Sequence, residues 1–368
     1  MKNKLDAIKN TLLMGPGPSS VSPNVYKALS TYTVGHLDKR FLDMMDDTKS
    51  MLREILKTKN NLTLPVSGTG TAAMESCFVN LIEEDDKILI IENGYFGSRM
   101  INMCQRLKAD FDILNFKWGD PIDLDKLKSQ IIKNKYKIVA VVHAETSTGV
   151  RNPVEEIRQY LDDETLLIVD AVTSLGTINL EVDRWGIDAV YSCSQKGLSC
   201  PHGASPVSFS TRAEDKILQR KTLVPNFYLD MKQLIEYLGG DQRIYHHTAP
   251  INSMYAIYQA LFDLKLEGLD KAIDRHLEMH NLLVNGLEKI GIEMLVDERY
   301  RLPSLNAVII PNGIDELRVR QRLLLDYQIE IGAGLGPFSG KIWRIGLMGY
   351  SAKTSNIEKL LYALERLI

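Results

Sequence analysis

Short apolar runs alternate with longer stretches of mixed polarity through residues 50–210. Runs at 62–66, 87–91, 111–114, 137–142, 166–170, 189–193 and 206–209 are short and bounded by turn residues, which predicts buried strands. Between them lie segments of helical length at 71–81, 96–107, 123–132 and 153–161. That alternation predicts an α/β fold, a mostly parallel sheet with helices on both faces. Open sheets of this kind bind ligands beyond the carboxyl ends of their strands. Gly70, Glu145, Asp170 and Lys196 all fall at or just past such an end.

After Pro250 the pattern changes. A helical region over 251–290 carries apolar positions at Leu261, Leu264, Leu266, Leu269, Leu282, Leu283 and Leu287. Strand patterns follow at 292–296 and 306–310, then a helix at 315–325, strands at 329–331 and 342–345, and a closing helix at 354–367. The expected organisation is an N-terminal arm (1–20), a large domain (21–265) and a smaller C-terminal α/β domain (266–368). The arm is expected to be irregular, because Gly15-Pro16-Gly17-Pro18 suits neither helix nor central strand.

The 368 residues suit about two domains, and 45% hydrophobic with 25% charged residues is enough for a sizeable core. The net charge of −3 gives no basic excess to favour nucleic acid or an anionic membrane. The first residues hold no apolar signal region, and no apolar run approaches membrane-spanning length. Cys77, Cys104, Cys193 and Cys200 lack CxxC spacing and read as reduced thiols rather than zinc ligands. A cytoplasmic location is expected.

The sharpest chemical signal is an acid that ends a strand, Leu166-Leu167-Ile168-Val169-Asp170, with Lys196 26 positions later in a polar turn. Pyridoxal 5′-phosphate (PLP) needs such a pair: a lysine amine for its Schiff base and a carboxylate to keep the pyridinium nitrogen protonated. Taken alone, Asp170 reads first as a loop acid after a buried strand and Lys196 as a solvated surface charge. Ser67-Gly68-Thr69-Gly70-Thr71-Ala72-Ala73 follows a strand and opens a helix, a place where free N–H groups and the helix dipole favour phosphate. The same turn fits a dinucleotide fingerprint, with Glu92 about where a ribose-binding acid belongs. A nicotinamide dehydrogenase is therefore a local rival. The lysine facing Asp170 favours PLP.

Further candidates lie near other strand ends. Thr146 suits a phenolic oxygen, Gln195 a phosphate and Phe96 a ring face. Tyr245-His246-His247-Thr248 is no obvious metal site, because adjacent histidines on a strand or helix point apart; its Tyr and Thr suit a phosphate. Arg344, flanked by apolar residues, offers a planar fork for a carboxylate, with a structural ion pair as the plain alternative.

Taken together, these blocks make the chain resemble the class V, fold type I PLP-dependent aminotransferases. The resemblance is nearest to alanine–glyoxylate and serine–pyruvate aminotransferases. It runs from Leu13-Met14-Gly15-Pro16-Gly17-Pro18-Ser19 to the last helix. Its blocks include Val66 to Glu75, His143-Ala144-Glu145-Thr146-Ser147-Thr148-Gly149, Val169 to Gly176, Tyr191 to Lys196, Tyr245 to Thr248 and Arg344-Ile345-Gly346-Leu347. The resemblance implies a large domain built on a mostly parallel seven-stranded sheet. It implies Lys196 as the Schiff-base lysine and Asp170 as the pyridinium partner. Thr69, Gly70, Thr71 and Gln195 would hold the phosphate, with Tyr245 and Thr248 reaching over from a partner subunit. Phe96 and Val172 would meet the ring, Thr146 the phenolic oxygen and Arg344 the substrate carboxylate. Gly17 in the Gly15–Pro18 segment and Gly35 of a neighbouring chain would line the substrate pocket. Phe96 stands where the subfamily often has tryptophan, and Thr71 where some members have histidine.

The implied protein is a homodimeric ping-pong aminotransferase that moves an amino group from alanine or serine to glyoxylate or pyruvate. A relative acting on ureidoglycine or an aminophosphonate stays open, with His36 and Arg40 beside Gly35 where specificity could sit. The dehydrogenase and a cofactor-free scaffold are further alternatives.

Overall fold

The computed structural model describes residues 3–238 and 245–368. A seven-stranded sheet forms its centre. Its strands are β1 (Leu62–Gly68), β2 (Lys87–Glu92), β3 (Asp110–Asn115), β4 (Ile138–Val142), β5 (Leu166–Asp170), β6 (Ala189–Tyr191) and β7 (Gly203–Phe209). They lie in the order β1-β7-β6-β5-β4-β2-β3, and only β7 runs against the rest. Each of the seven runs identified in the sequence is a strand, and the sheet is mostly parallel.

Strand periodicity explains why these runs are apolar throughout. In β4, Val139 and Val141 enter one buried layer, while Ile138, Ala140 and Val142 enter the opposite one. Leu167 and Val169 of β5 alternate in the same way with Leu166 and Ile168. A parallel sheet covered on both faces has no solvent side and so no polar alternation.

Among the described residues, four helices lie where the sequence pattern predicts none: Pro23–Leu29, Lys39–Leu56, Thr211–Leu218 and Met231–Leu238. α1 (Lys39–Leu56) buries Phe41, Met45, Thr48, Met51, Leu52, Ile55 and Leu56, a stripe at helical spacing. Asp38 caps its first turn through the Arg40 N–H, and Lys57 ends it at φ +50°. α2 (Gly70–Leu81) and α3 (Tyr95–Leu107) leave the ends of β1 and β2. The expected helix at 153–161 is instead two short 3₁₀ turns, Val154–Glu156 and Arg158–Tyr160. There Asp162 takes up the N–H groups of Glu164 and Thr165 and turns the chain into β5.

The expected helical region 251–290 is broken at Gly268, whose φ of +89° no helix accommodates. It forms α4 (Ile251–Glu267) and α5 (Leu269–Lys289). Beyond lies a second sheet of β8 (Leu305–Ile309), β9 (Gly332–Ala333) and β10 (Ile342–Gly346), in the order β8-β10-β9. The expected strand at 292–296 contributes a single bridge, Met294 to Val308. α5, α6 (Glu316–Tyr327) and α7 (Thr354–Leu367) cover this sheet, burying Leu283, Leu323 and Leu360 against Trp343 and Ile345. Arg344 lies between those two in a period-two strand, so it projects from the other face, away from the helices.

The arm is tied to this second core. Leu12–Leu13 pairs in parallel with Ile329–Glu330, and Met14 is fully buried. Among the described residues, no helix is long and apolar enough to cross a membrane.

Candidate active site

The carboxyl edge of the large sheet gathers the sequence candidates. Asp170 ends β5 next to Tyr191 of β6, and it is 1% exposed. One carboxylate oxygen, Oδ1, accepts from the Val172 N–H at 2.8 Å. The other, Oδ2, and the Tyr191 hydroxyl beside it are both buried with no hydrogen bond of good geometry, although the hydroxyl lies close enough to favour the charged acid. Burial pushes the acid up to about 6, opposed by the Val172 N–H, the neighbouring Tyr191 hydroxyl and Lys196. A buried carboxylate oxygen with nothing to accept is costly unless a donor meets it.

Lys196 follows the end of β6 and is also buried. Its amine donates to the Pro16 carbonyl of the arm. Burial lowers it to about 8, Arg344 adds to the fall, and Asp170 and Glu145 oppose it. A lysine so depressed supplies free amine near neutral pH. Its backbone is held as well, since Ser19 bonds the Lys196 carbonyl through its hydroxyl at 2.7 Å and the Gln195 carbonyl through its N–H at 2.9 Å. Gly17 touches the lysine at φ +112°; a Cβ there would lie 2.7–2.8 Å from Lys196 Cδ, Cε and Nζ. Only glycine lets the arm lie this close.

At the end of β1, Thr69 is the N-cap of α2 with no side-chain cap bond. The first N–H groups of that helix are thus free for a ligand. Gly70 packs on the same centre, because its Cβ would meet Cys193 Cβ at 2.9 Å and Val172 Cγ2 at 3.5 Å. Gln195 Oε1 is another buried oxygen without a partner. Thr146 Oγ1 lies 2.5 Å from Thr173 Oγ1, and the Thr146 carbonyl accepts from Arg344 Nη1 at 3.2 Å.

Arg344 reaches Thr146 from β10 and bonds the Ala333 carbonyl with Nε at 2.7 Å. Among the described residues no carboxylate lies within ion-pair distance of it. Burial lowers it to about 10. This leaves a desolvated guanidinium whose direct bonds are to neutral carbonyls, with Glu145 the nearby charge that favours it.

Two residues of the centre were absent from the sequence-derived site. Arg99 of α3 donates to Thr71 Oγ1 at 2.9 Å, and its guanidinium lies 4.9 Å from the Phe96 ring centroid. Its spacing was the available signal: three residues past Phe96, on the same helical face. The sequence places Glu145 at a strand end and assigns it no role. It is fully buried, accepts from Ser147 N, Ser147 Oγ and Phe96 N, and burial pushes it up to about 7. With Ser147 Oγ accepting from the Tyr95 N–H at 2.9 Å, it caps α3 from outside. The helix needs this, because its own N-cap, Gly94, has no side chain. Gly94 has room for none, since a Cβ would lie 2.3 Å from Glu145 Cγ.

The other candidates lie apart. Tyr245 is 59% exposed, bonds Thr248 Oγ1 at 3.1 Å and packs on His36 at 5.4 Å. Gly35 is exposed with nothing within 4 Å of a built Cβ. Arg40 points to the surface, paired with Asp38 at 2.7 Å. His246 and His247 do not point apart as expected: their Nδ1 atoms are 2.8 Å from each other. The rule for strands and helices fails because this segment is neither. Among the described residues, no group of three metal-ligating side chains forms.

The dinucleotide alternative fails on geometry. β1, which leads into the glycine turn, lies at the sheet's edge beside antiparallel β7, not at a parallel switch point. Glu92 is buried and engaged by Ser98 Oγ and Trp118 Nε1. Comparison with known proteins agrees. The family model for class-V aminotransferases matches residues 12–351. The chain belongs to the class V aminotransferases. It is 36% identical to (S)-ureidoglycine–glyoxylate transaminase of Bacillus subtilis, over 97% of this chain and 90% of that one. It is also 36% identical to alanine–glyoxylate aminotransferase of Mus musculus, over 97% and 87%. The crystal structure of an alanine–glyoxylate aminotransferase from Nostoc sp. superposes with a TM-score of 0.94 at 44% identity, covering 100% of this chain and 99% of that one.

PLP is the cofactor of this aminotransferase family, and the residues present fit it. Asp170 Oδ2 has an acceptor's burial without a donor, Lys196 is a depressed amine, and the start of α2 has free N–H groups at a glycine-rich turn.

Proposed function

We propose that this aminotransferase moves an amino group between a small amino acid, alanine or serine, and a small 2-oxo acid, glyoxylate or pyruvate, in ping-pong turns. The observation that carries this reading is Arg344: one buried guanidinium without a carboxylate partner, next to the lysine. A single fork suits substrates with one carboxylate. Glyoxylate appears in the names of both curated relatives, which supports it as acceptor. Ureidoglycine as donor is the second reading, favoured only by the Bacillus subtilis relative.

PLP supplies an electron sink at the substrate's α-carbon. The protein's part is to hold and to move protons. Asp170, its carboxylate fixed by the Val172 N–H, would hold a proton on the ring nitrogen. Lys196, buried and close to neutral, is the base and acid that carries the substrate's α-proton. Arg344 orients the carboxylate, and Phe96 backs the ring. Thr69, Gly70, Thr71 and Gln195 would take the phosphate, and Thr146 the phenolic oxygen. Gly17 shapes the pocket beside the lysine.

The proposed assembly is a homodimer in which Tyr245, Thr248 and Gly35 of each chain serve the other's site. Their exposure supports it. The proposed units remain an arm (1–20), a large unit (21–265) and a small unit (266–368), with Gly268 as the break between α4 and α5. The deciding experiment is a panel of amino donors against glyoxylate and pyruvate, followed by keto-acid release. Alanine or serine with glyoxylate should give the highest kcat/KM; a clear preference for ureidoglycine, or for a dicarboxylic donor, would overturn the assignment.

A further inference from the structure

The two histidines form part of a chain that begins at Ser67, at the end of β1 where it enters the phosphate turn. Ser67 Oγ lies 2.9 Å from His247 Nε2, His247 Nδ1 lies 2.8 Å from His246 Nδ1, and His246 Nε2 lies 3.1 Å from the Phe227 carbonyl. Donor chemistry fixes every proton in it. A carbonyl only accepts, so His246 Nε2 carries the hydrogen and, in the neutral ring, His246 Nδ1 is bare. His247 Nδ1–H must then donate to it, which leaves His247 Nε2 bare to accept from the Ser67 hydroxyl. Aromatic rings clamp the pair. Phe227 stacks on His246 at 4.9 Å, and Tyr228 and Tyr237 lie against His247 at 4.8 and 5.4 Å. The same short segment carries Tyr245 and Thr248, bonded to each other and exposed.

We propose that His246 and His247 are positioning residues. They fasten the Tyr245–Thr248 lip to this chain's own phosphate turn through Ser67, so that the grip on a bound phosphate monoester depends on the unbroken chain. In the dimer, the chain joins one subunit's turn to the lip it offers the other. An exposed pair such as Tyr245 and Thr248 can hold a phosphate only if its backbone is fixed, and these hydrogen bonds are the fixture. The inference rests on reading the Ser67–Thr71 turn as the phosphate site.

PLP release from the holoenzyme, followed by absorbance after dilution into a trap, tests it without recourse to turnover. Ser67→Ala and His247→Phe should each speed release about five- to tenfold, the worth of a lost hydrogen bond, and the double variant should release no faster than the faster single one. Release within about twofold of wild type for either single variant would overturn the proposal. So would multiplying effects in the double variant, since Ser67 would then act on the phosphate directly. Should His247→Phe not fold, His246→Phe takes its place in the same cycle. A wild-type protein that binds no PLP would instead fail the reading of the turn, a result distinct from all of these.

Discussion

At the carboxyl edge of the large sheet, Asp170, Thr146, Lys196 and Arg344 are all buried, whereas Gly35, Tyr245 and Thr248 stand exposed on the same chain. The inner group is held by bonds from three separate parts of the fold. The arm meets Lys196, β10 meets the Thr146 carbonyl, and the turn after β5 meets Asp170. The outer group has little behind it except the histidine chain. Buried ionisable groups are costly, and the inner ones keep an unmet oxygen or an uncompensated charge even after folding. The fold therefore fixes the chemistry in advance, while the lip becomes useful only against another surface. Substitutions inside should destroy turnover with the assembly intact, and substitutions in the lip should loosen cofactor with the chemistry intact.

The inner half breaks hardest at Lys196. Lys196→Ala removes the group proposed to move the α-proton, a contribution of about 10²–10⁴-fold in rate, and also the proposed covalent anchor. Turnover should fall by at least that factor. Borohydride reduction followed by peptide mapping should place the phosphopyridoxyl label on Lys196 in wild type. A label on another lysine would remove the assignment.

Asp170→Asn comes next. The asparagine keeps the Val172 contact but loses the charge, and an opposite charge at this range shifts a pKa by about 1–3 units. The protonated fraction of the ring nitrogen should drop accordingly, and kcat should fall about ten- to a thousandfold while some cofactor still binds. Near-normal kcat with full cofactor content would contradict the role given to the unmet Oδ2.

Arg344→Ala should lower kcat/KM for donor and acceptor alike by about ten- to a hundredfold, since a charge-assisted bond is worth roughly 1.5–3 kcal/mol. Cofactor absorbance should hardly change. Arg344→Lys should rescue only in part, because a point charge cannot copy the fork. Unaltered use of alanine and glyoxylate by the alanine variant would make Arg344 a structural residue, held for its bonds to Ala333 and Thr146.

The outer half can be tested by mixing. Lys196→Ala and Tyr245→Phe/Thr248→Ala chains are each impaired alone. If the lip serves the partner, a mixed dimer contains one site with an intact lysine and an intact lip. Its cofactor release should return to the wild-type rate at that site, a recovery of about five- to tenfold. Failure of the mixture to recover, or sedimentation of a fully active monomer, would assign the lip to its own chain.

This inner–outer difference also marks what the sequence could disclose. The seven strands were legible because a sheet buried on both faces writes itself as short apolar runs. Asp170 and Lys196 were legible because strand ends are where such sheets place chemistry. The single β10 run flanking Arg344 pointed to its special place. Contacts across elements were not legible. Nothing in the sequence near Gly94 says that Glu145 and Ser147 cap α3, or that Arg99 bonds Thr71, since both depend on which strand ends become neighbours. The His246–His247 pair was misjudged for a related reason. The periodicity argument presumes regular backbone, and those residues lie in an irregular segment braced by Phe227 and Tyr228.

The smallest expected effect concerns the lysine's own titration in the apo protein. Burial lowers Lys196 to about 8, with Arg344 adding to the fall and Asp170 opposing it. Below that pH the amine is protonated and inert; above it the free amine reacts, whereas a surface lysine reaches this state only near about 10.4. Labelling with a small acylating reagent across pH, read by peptide mapping, should therefore show Lys196 reacting with a midpoint near 8. Removing the carboxylate in Asp170→Asn should move the midpoint down, because a charge that favoured the protonated amine is gone. Removing the guanidinium in Arg344→Ala should move it up. Opposite shifts of this sign would place both groups within electrostatic reach of one amine. A midpoint shared with the surface lysines would mean that burial at the arm does not hold in solution, and the contrast between the fixed inner half and the exposed lip would lose its physical basis.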